Sequence, residues 1–190
     1  MFRLKAFRSR LGARGLASLR VYALIVIDVQ NDYFPSGAYP LHGSEVVLER
    51  TMQAVRRAQA QGVPVVLVQH VARSSPSPFF NADTEGVQIH AALRAAAPDA
   101  PIVVKGHADS LLNTTLQSTL VALGVDTLWL CGMMTHNCVT HTALSPQAQG
   151  YTVRIVEDLC TTVDPMIHAI AISALRDRVE VVERESLGLK

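Results

Sequence analysis

Residues 128–142 read Leu-Trp-Leu-Cys-Gly-Met-Met-Thr-His-Asn-Cys-Val-Thr-His-Thr. An apolar strand-like run gives way to a sharp turn, and an amphipathic run begins at Cys138. A sulfur at a helix start lies beside unpaired backbone N–H groups and the positive end of the helix dipole, a setting that favours thiolate over thiol. The turn from Gly132 to Asn137 can also aim N–H groups at one point, the raw material of an oxyanion hole. The alternative is a buried cysteine acting as a small hydrophobe, and this stretch alone does not separate the two.

Working outward, the same strand-then-helix alternation repeats on both sides. Tyr22 to Ile27 is a continuous apolar run ended by Asp28, the pattern of a strand buried on both faces of a parallel sheet. A loop over residues 29–43 carries Phe34-Pro35-Ser36-Gly37 and Pro40. Ser44 is placed to cap a helix with the stripe Leu48, Met52, Val55 and Ala58, stopped by Gly62. Residues 64–70 form a second strand. Residues 71–88 show no period, and a loop of that length in a compact domain is commonly functional; Phe79 and Phe80 lie in it. A short helix over residues 89–97 leads to a third strand, 101–105, ended by Lys105. Asn113 or Thr114 then caps a helix with Leu116, Leu120 and Leu123, closed by Gly124.

Residues 126–131 make the fourth strand and 151–156 the fifth. Asp164 as N-cap with Pro165 at the first helical position opens a last helix bearing Ile167, Ile170, Ala174 and Leu175. Residues 179–182 are the sixth strand. Neither a repeat nor a linker interrupts the order, so the expected fold is a three-layer α/β/α domain over residues 21–190 around a six-stranded, mostly parallel sheet.

Composition agrees with one globular domain: 190 residues, 49% hydrophobic and 17% charged. Residues 1–20 stand apart, with six basic side chains and no acidic one, and read as a disordered extension, with a transit peptide or an arm for nucleic acid or an anionic surface as the alternatives; without them 11 basic face 16 acidic residues. The acidic body argues against nucleic-acid binding, and no apolar run approaches the ~20 residues of a membrane span. Three cysteines without CxxC spacing suit neither a disulfide framework nor a zinc site, and point to a reducing, cytoplasmic setting.

Asp28, Lys105 and the Cys138 turn all fall just past carboxyl ends of strands, the edge where open α/β sheets bind ligands. A turn carboxylate or a solvated lysine would be unremarkable singly. Three such groups at one edge indicate a shared site.

These residues also resemble a known family, the isochorismatase-like cysteine hydrolases, which include nicotinamidases and N-carbamoylsarcosine amidohydrolases. The resemblance rests on Leu-Ile-Val-Ile-Asp28-Val-Gln-Asn-Asp-Tyr-Phe, on Val-Val-Lys105, on Cys-Gly-Met-Met-Thr-His-Asn-Cys138-Val, and on Gly150-Tyr-Thr-Val with Glu157-Asp158. It implies a sheet of order 3-2-1-4-5-6 and a catalytic triad of Asp28, Lys105 and Cys138. It further implies a cis peptide between Met133 and Met134, an oxyanion hole from the N–H groups of Met134 and Cys138, and a homo-oligomer, dimer or tetramer. The activity implied is hydrolysis of a small-molecule amide through a thioester; an ester or isochorismate-like substrate is the alternative.

Nicotinamidases bind metal through an Asp-x-His element after the second strand, but here that region reads Val-Gln-His70-Val-Ala-Arg, so no metal and no cofactor is expected. Pro146, in Ala143-Leu-Ser-Pro146, should shorten or kink the helix after Cys138. The substrate pocket is expected to draw on Phe34, His70, Phe79, Phe80, Leu112 and His136, and to accept a small neutral amide. A nucleotide-binding module is the reading from another class, and the sequence has neither the G-x-G-x-x-G after the first strand nor the P-loop that it would need. A non-catalytic scaffold is the remaining alternative.

Overall fold

The computed structural model describes residues 20–189. The basic extension expected over residues 1–20 thus lies, except for Arg20, outside the described residues. Six strands form one all-parallel sheet: β1 (Tyr22–Ile27), β2 (Val65–His70), β3 (Ile102–Lys105), β4 (Thr127–Met133), β5 (Thr152–Thr161) and β6 (Glu180–Val182). Their spatial order is β3-β2-β1-β4-β5-β6, with the chain reversing direction of growth between β1 and β4. Such a reversal opens a crevice at the carboxyl ends of the two strands that flank it.

Central β1 shows why the sheet is parallel. Ala23 to Ile27 are at most 1% exposed, so both faces are covered and the run has no polar alternation. Its register places Ile27 beside Val68 on one side and Gly132 on the other. Asp28, β2's His70 and β3's Lys105 therefore arrive at the same edge, with His70 paired to Lys105 across the ladder.

The crossovers are α1 (Ser44–Ala60), α2 (Ala91–Ala96), α3 (Leu116–Leu123), α4 (Thr140–Ala143) and α5 (Pro165–Leu175). In α1 the buried set is wider than the expected stripe, since Val47, Thr51 and Ala54 join Leu48, Val55 and Ala58. Ser44 does not cap it: Gly43, at φ 60°, takes the N-cap position without a side-chain bond. Asp164 caps α5 as expected, accepting from Met166 N at 2.7 Å, with Pro165 at the first helical position.

Two strands outrun their expected ends. β4 continues to Met133, and β5 continues through Glu157 and Asp158 to Thr161, after a register shift between Leu130 and Gly132. The two carboxylates that break β5's apolar run are paired, Glu157 with Arg176 and Asp158 with Arg184 at 3.4 Å. No described helix is long and apolar enough to cross a membrane.

Candidate active site

Asp28 is fully buried and takes φ 53°, so the chain turns sharply as it leaves β1. Lys105 is 2% exposed at the end of β3, and Cys138 is 3% exposed in the turn after β4. The lysine ammonium joins them. Its Nζ lies 2.8 Å from Asp28 Oδ2 and 3.2 Å from Cys138 Sγ. It also lies 2.9 Å from His70 Nδ1 and 3.0 Å from the His107 carbonyl oxygen.

Four acceptors surround an ammonium that has three protons. The sulfur, as the weakest acceptor while it is a thiol, shares what the others leave. It becomes a strong acceptor only on deprotonation. Because Nζ donates towards Sγ, the thiol proton must point elsewhere, and Asp28 carboxylate oxygen is within 4.8 Å. With Oδ2 taken by the ammonium, the buried Asp28 Oδ1 has no hydrogen-bond partner among the described residues and is free to accept it.

Electrostatics match that division of labour. Burial alone would lower the Lys105 pKa, but the charge of Asp28 and the neighbouring Cys138 outweigh it, and the amine stays an ammonium. Burial pushes the Cys138 thiol well up, Asp28 pushes it further, and Lys105 pulls it back only in part. This corrects the thiolate expected from a helix start. The resting sulfur is a thiol, and an adjacent base must activate it.

The local backbone also departs from expectation. Thr135–Val139 form a π-helical turn, with Val139 N donating to Met134 O at 3.3 Å, and α4 covers only Thr140–Ala143. A single π-turn inside a helix start is a feature often found at functional sites. Thr140 Oγ1 donates to Thr135 O, and Thr142 Oγ1 donates to Cys138 O at 2.7 Å, which hold the turn closed. Pro146 ends the helix as expected: Ser145 caps a new short turn, accepting from Gln147 N at 3.2 Å. The Met133–Met134 peptide is cis.

The expected pocket residues divide. His70 borders the triad through Lys105, and both its backbone groups are held by Gln30, whose Oε1 accepts from His70 N and whose Nε2 donates to His70 O, each at 2.8 Å. With Nδ1 accepting from the ammonium, the ring proton sits on Nε2. Burial and the Lys105 charge lower its pKa to about 4, so the imidazole is neutral. Phe80 is fully buried beside it, ring centroids 5.8 Å apart, and Phe79 packs edge-on to Phe80 at 5.0 Å.

The other three fall elsewhere. Phe34 packs on His90 at 4.5 Å and lines an outer hollow of about 390 Å³ with Asn31, Gly86 and His90. Leu112 is 38% exposed, carried outward on the loop before α3. His136 is exposed and its Nδ1 is 2.6 Å from Thr162 Oγ1, so its ring is tied to the residue that follows β5.

Two site-building residues escaped the sequence reading. Asp32, 7% exposed, accepts from Phe80 N at 2.6 Å and from Ala38 N at 3.2 Å, and so pins both long loops at once. Tyr33 is fully buried against Phe79, Phe80 and Tyr39. The acid-then-aromatic order of Asn-Asp-Tyr-Phe was the available signal, but a buried aromatic reads as core.

Asp28, His70 and Cys138 offer ligand atoms within 4.8 Å of one another, the spacing of a metal cluster. The Lys105 ammonium lies within about 3 Å of each of them, so the point a cation would need is already held by a fixed positive charge.

An isochorismatase domain model matches residues 22–185, and the chain belongs to the isochorismatase family of hydrolases. It is 39% identical over 140 residues to the isochorismatase family protein YddQ of Bacillus subtilis, covering 74% of this chain and 77% of that one. It is 32% identical over 177 residues to streptothricin hydrolase of Streptomyces noursei, covering 86% of this chain and 63% of that one. Among solved structures, an isochorismatase family protein from Desulfovibrio vulgaris superposes with TM-score 0.81 at 26% identity, covering 88% of this chain and 96% of the other.

Proposed function

We propose that the protein is a cysteine-dependent amidohydrolase that cleaves a small, neutral amide through a thioester at Cys138. The observation that carries this reading is the Lys105 ammonium held between a buried carboxylate and a buried sulfur. Asp28 takes the thiol proton as the sulfur attacks the carbonyl carbon. The charge that moves from carboxylate to sulfur stays beside the ammonium throughout, so the transfer needs little reorganisation in a dry site. The N–H groups of Met134 and Cys138 are assigned to the developing oxyanion.

Collapse of the tetrahedral species expels the amine, which receives the proton from Asp28. The carboxylate then takes a proton from water, hydroxide attacks the thioester, and the acid product leaves with the thiol restored. An amine is a poor leaving group without that proton, and the adjacent carboxylic acid supplies it; this favours an amide over an ester. Lys105 is a positioning group for Asp28 and an electrostatic partner for Cys138.

The exposed Met166 and Ile170 on α5, 66% and 62% accessible, support assembly as a homo-oligomer. Three free, buried thiols support a reducing compartment.

Acylation by p-nitrophenyl acetate tests the nucleophile. Peptide mapping after a short exposure should place the acetyl group on Cys138. Acetyl on Cys131, Cys160 or a lysine, with Cys138 unmodified, would refute the reading.

A further inference from the structure

Three good acceptors match the three protons of the Lys105 ammonium: Asp28 Oδ2 at 2.8 Å, His70 Nδ1 at 2.9 Å and the His107 carbonyl at 3.0 Å. The ammonium is therefore fixed without help from the sulfur. Cys138 Sγ stands 3.2 Å away as a thiol, and a thiol accepts too weakly to hold itself there. Other contacts must keep the nucleophile turn against the lysine.

Thr142 supplies them. It is 1% exposed in α4, and its Oγ1 donates to the Cys138 carbonyl at 2.7 Å. The same oxygen accepts from Ser110 N at 3.0 Å and lies 2.8 Å from Ser110 Oγ. A hydroxyl has one proton and two lone pairs. With its proton on the Cys138 carbonyl, which only accepts, Thr142 takes its last bond from the Ser110 hydroxyl and is used to capacity. A threonine bonded to the carbonyl four residues back is ordinary in a helix. Here it is joined as well to a residue 32 positions away.

Ser110 is fully buried in the loop between β3 and α3, and Thr114 Oγ1 donates to its carbonyl at 2.6 Å. That loop also carries His107, whose carbonyl holds the ammonium. One segment thus grips Lys105 at one point and, through Thr142, the backbone of the nucleophile at another.

We infer that Ser110 and Thr142 are positioning residues that set the distance from the Lys105 ammonium to the Cys138 sulfur. They act through the Cys138 backbone and not on the reacting atoms. A sulfur misplaced by about 1 Å can lose ~100-fold in rate, and the loss falls on the step in which it attacks. Both roles rest on the reading of Cys138 as the nucleophile.

The rate at which p-nitrophenyl acetate acylates Cys138 in the full chain tests this, since it needs no amide substrate. Thr142→Val keeps the side-chain shape without the hydroxyl and should lower that rate at least ~10-fold. Thr142→Ser restores the hydroxyl without the methyl group and should be at least ~5-fold faster than Thr142→Val. Ser110→Ala breaks only the bond between the two hydroxyls and should lower the rate at least ~3-fold. Thr119→Val, which removes the same kind of bond in α3, 2.9 Å to Thr115 O, should leave it unchanged.

A folded Thr142→Val chain acylated at the wild-type rate would overturn the inference. So would Thr142→Ser as slow as Thr142→Val, since packing of the methyl group and not the hydroxyl would then be at work. Should Thr142→Val fail to fold, Ser110→Ala decides, because it leaves Ser110 N and the bond to the Cys138 carbonyl in place; a wild-type rate there overturns the inference. A wild-type chain not acylated at Cys138 would remove the nucleophile reading and these roles with it, whereas normal acylation in every variant removes the roles alone.

Discussion

Gly132→Ala tests the geometry that brings the site together. Gly132 lies on β4 beside Ile27, the residue before Asp28, and has φ 119°. A Cβ there would stand 2.0 Å from Ile27 O and 2.7 Å from Ile27 N. These are backbone atoms of the central strand, so no side-chain rotation relieves the contact. The strands must part by about 1 Å at the end of β1, where Asp28 begins its turn.

Overpacking of this kind costs ~1–3 kcal/mol or more, and an alanine at that φ adds ~1–3 kcal/mol of backbone strain. The total, roughly 2–6 kcal/mol, corresponds in a chain of this size to a fall in melting temperature of about 4–24 °C. The assay is differential scanning calorimetry with Gly150→Ala as control, since a Cβ at Gly150 meets nothing within 4 Å. The control should stay within about 2 °C of wild type. A Gly132→Ala protein equally close to wild type would refute the strand register on which the site depends.

Further outcomes follow from the same contacts. Lys105→Met leaves Asp28 buried without a counter-charge and should destabilise the fold by about 3–5 kcal/mol in urea titrations, with activity lost by at least ~100-fold. Asp32→Ala releases Phe80 N and Ala38 N together; KM should rise with a smaller change in kcat. Stability should fall as pH rises above about 9, because Cys160, raised to about 12 by burial, keeps its proton while the unfolded thiol, at its ordinary value of 9.0, loses it. The unfolded state then binds fewer protons, so the slope is negative, roughly 1.4 kcal/mol per pH unit, and Cys160→Ala should remove that contribution. On the acid side His70 works in the opposite sense: unfolding frees an imidazole that charges below 6.5, while the folded one resists charging to about 4, so stability falls between those values on acidification. His70→Asn should flatten that limb in pH-dependent melting curves.

The strand ends were legible because a buried parallel strand is a closed apolar run, and the first charged residue after it marks the functional edge. Asp28 and Lys105 stand out for that reason. β5 ends early in the sequence because Glu157 and Asp158 look like a strand end; pairing with Arg176 and Arg184, 19 and 26 residues away, is what lets the strand continue. The protonation of Cys138 was misread for a similar reason. A helix dipole acts locally and can be read from a pattern, whereas desolvation by the whole fold cannot.

Pocket walls were the least legible. Leu112 and His136 sit near the site in sequence, yet Leu112 is exposed on the loop before α3 and His136 is bonded to Thr162, 26 positions further along the chain. Tyr33 and Asp32 act through contacts with residues 79–86, about 50 positions further along the chain. No local pattern encodes such contacts.

Ammonia release from a panel of small amides, carbamoyl compounds and ureas, compared between wild type and Cys138→Ala, tests the cysteine mechanism most directly. Release by the wild-type chain from at least one member of the panel, reduced about 10⁴-fold or more in the variant, is the predicted result. Undiminished release by Cys138→Ala, or none by the wild-type chain across the panel, would contradict it.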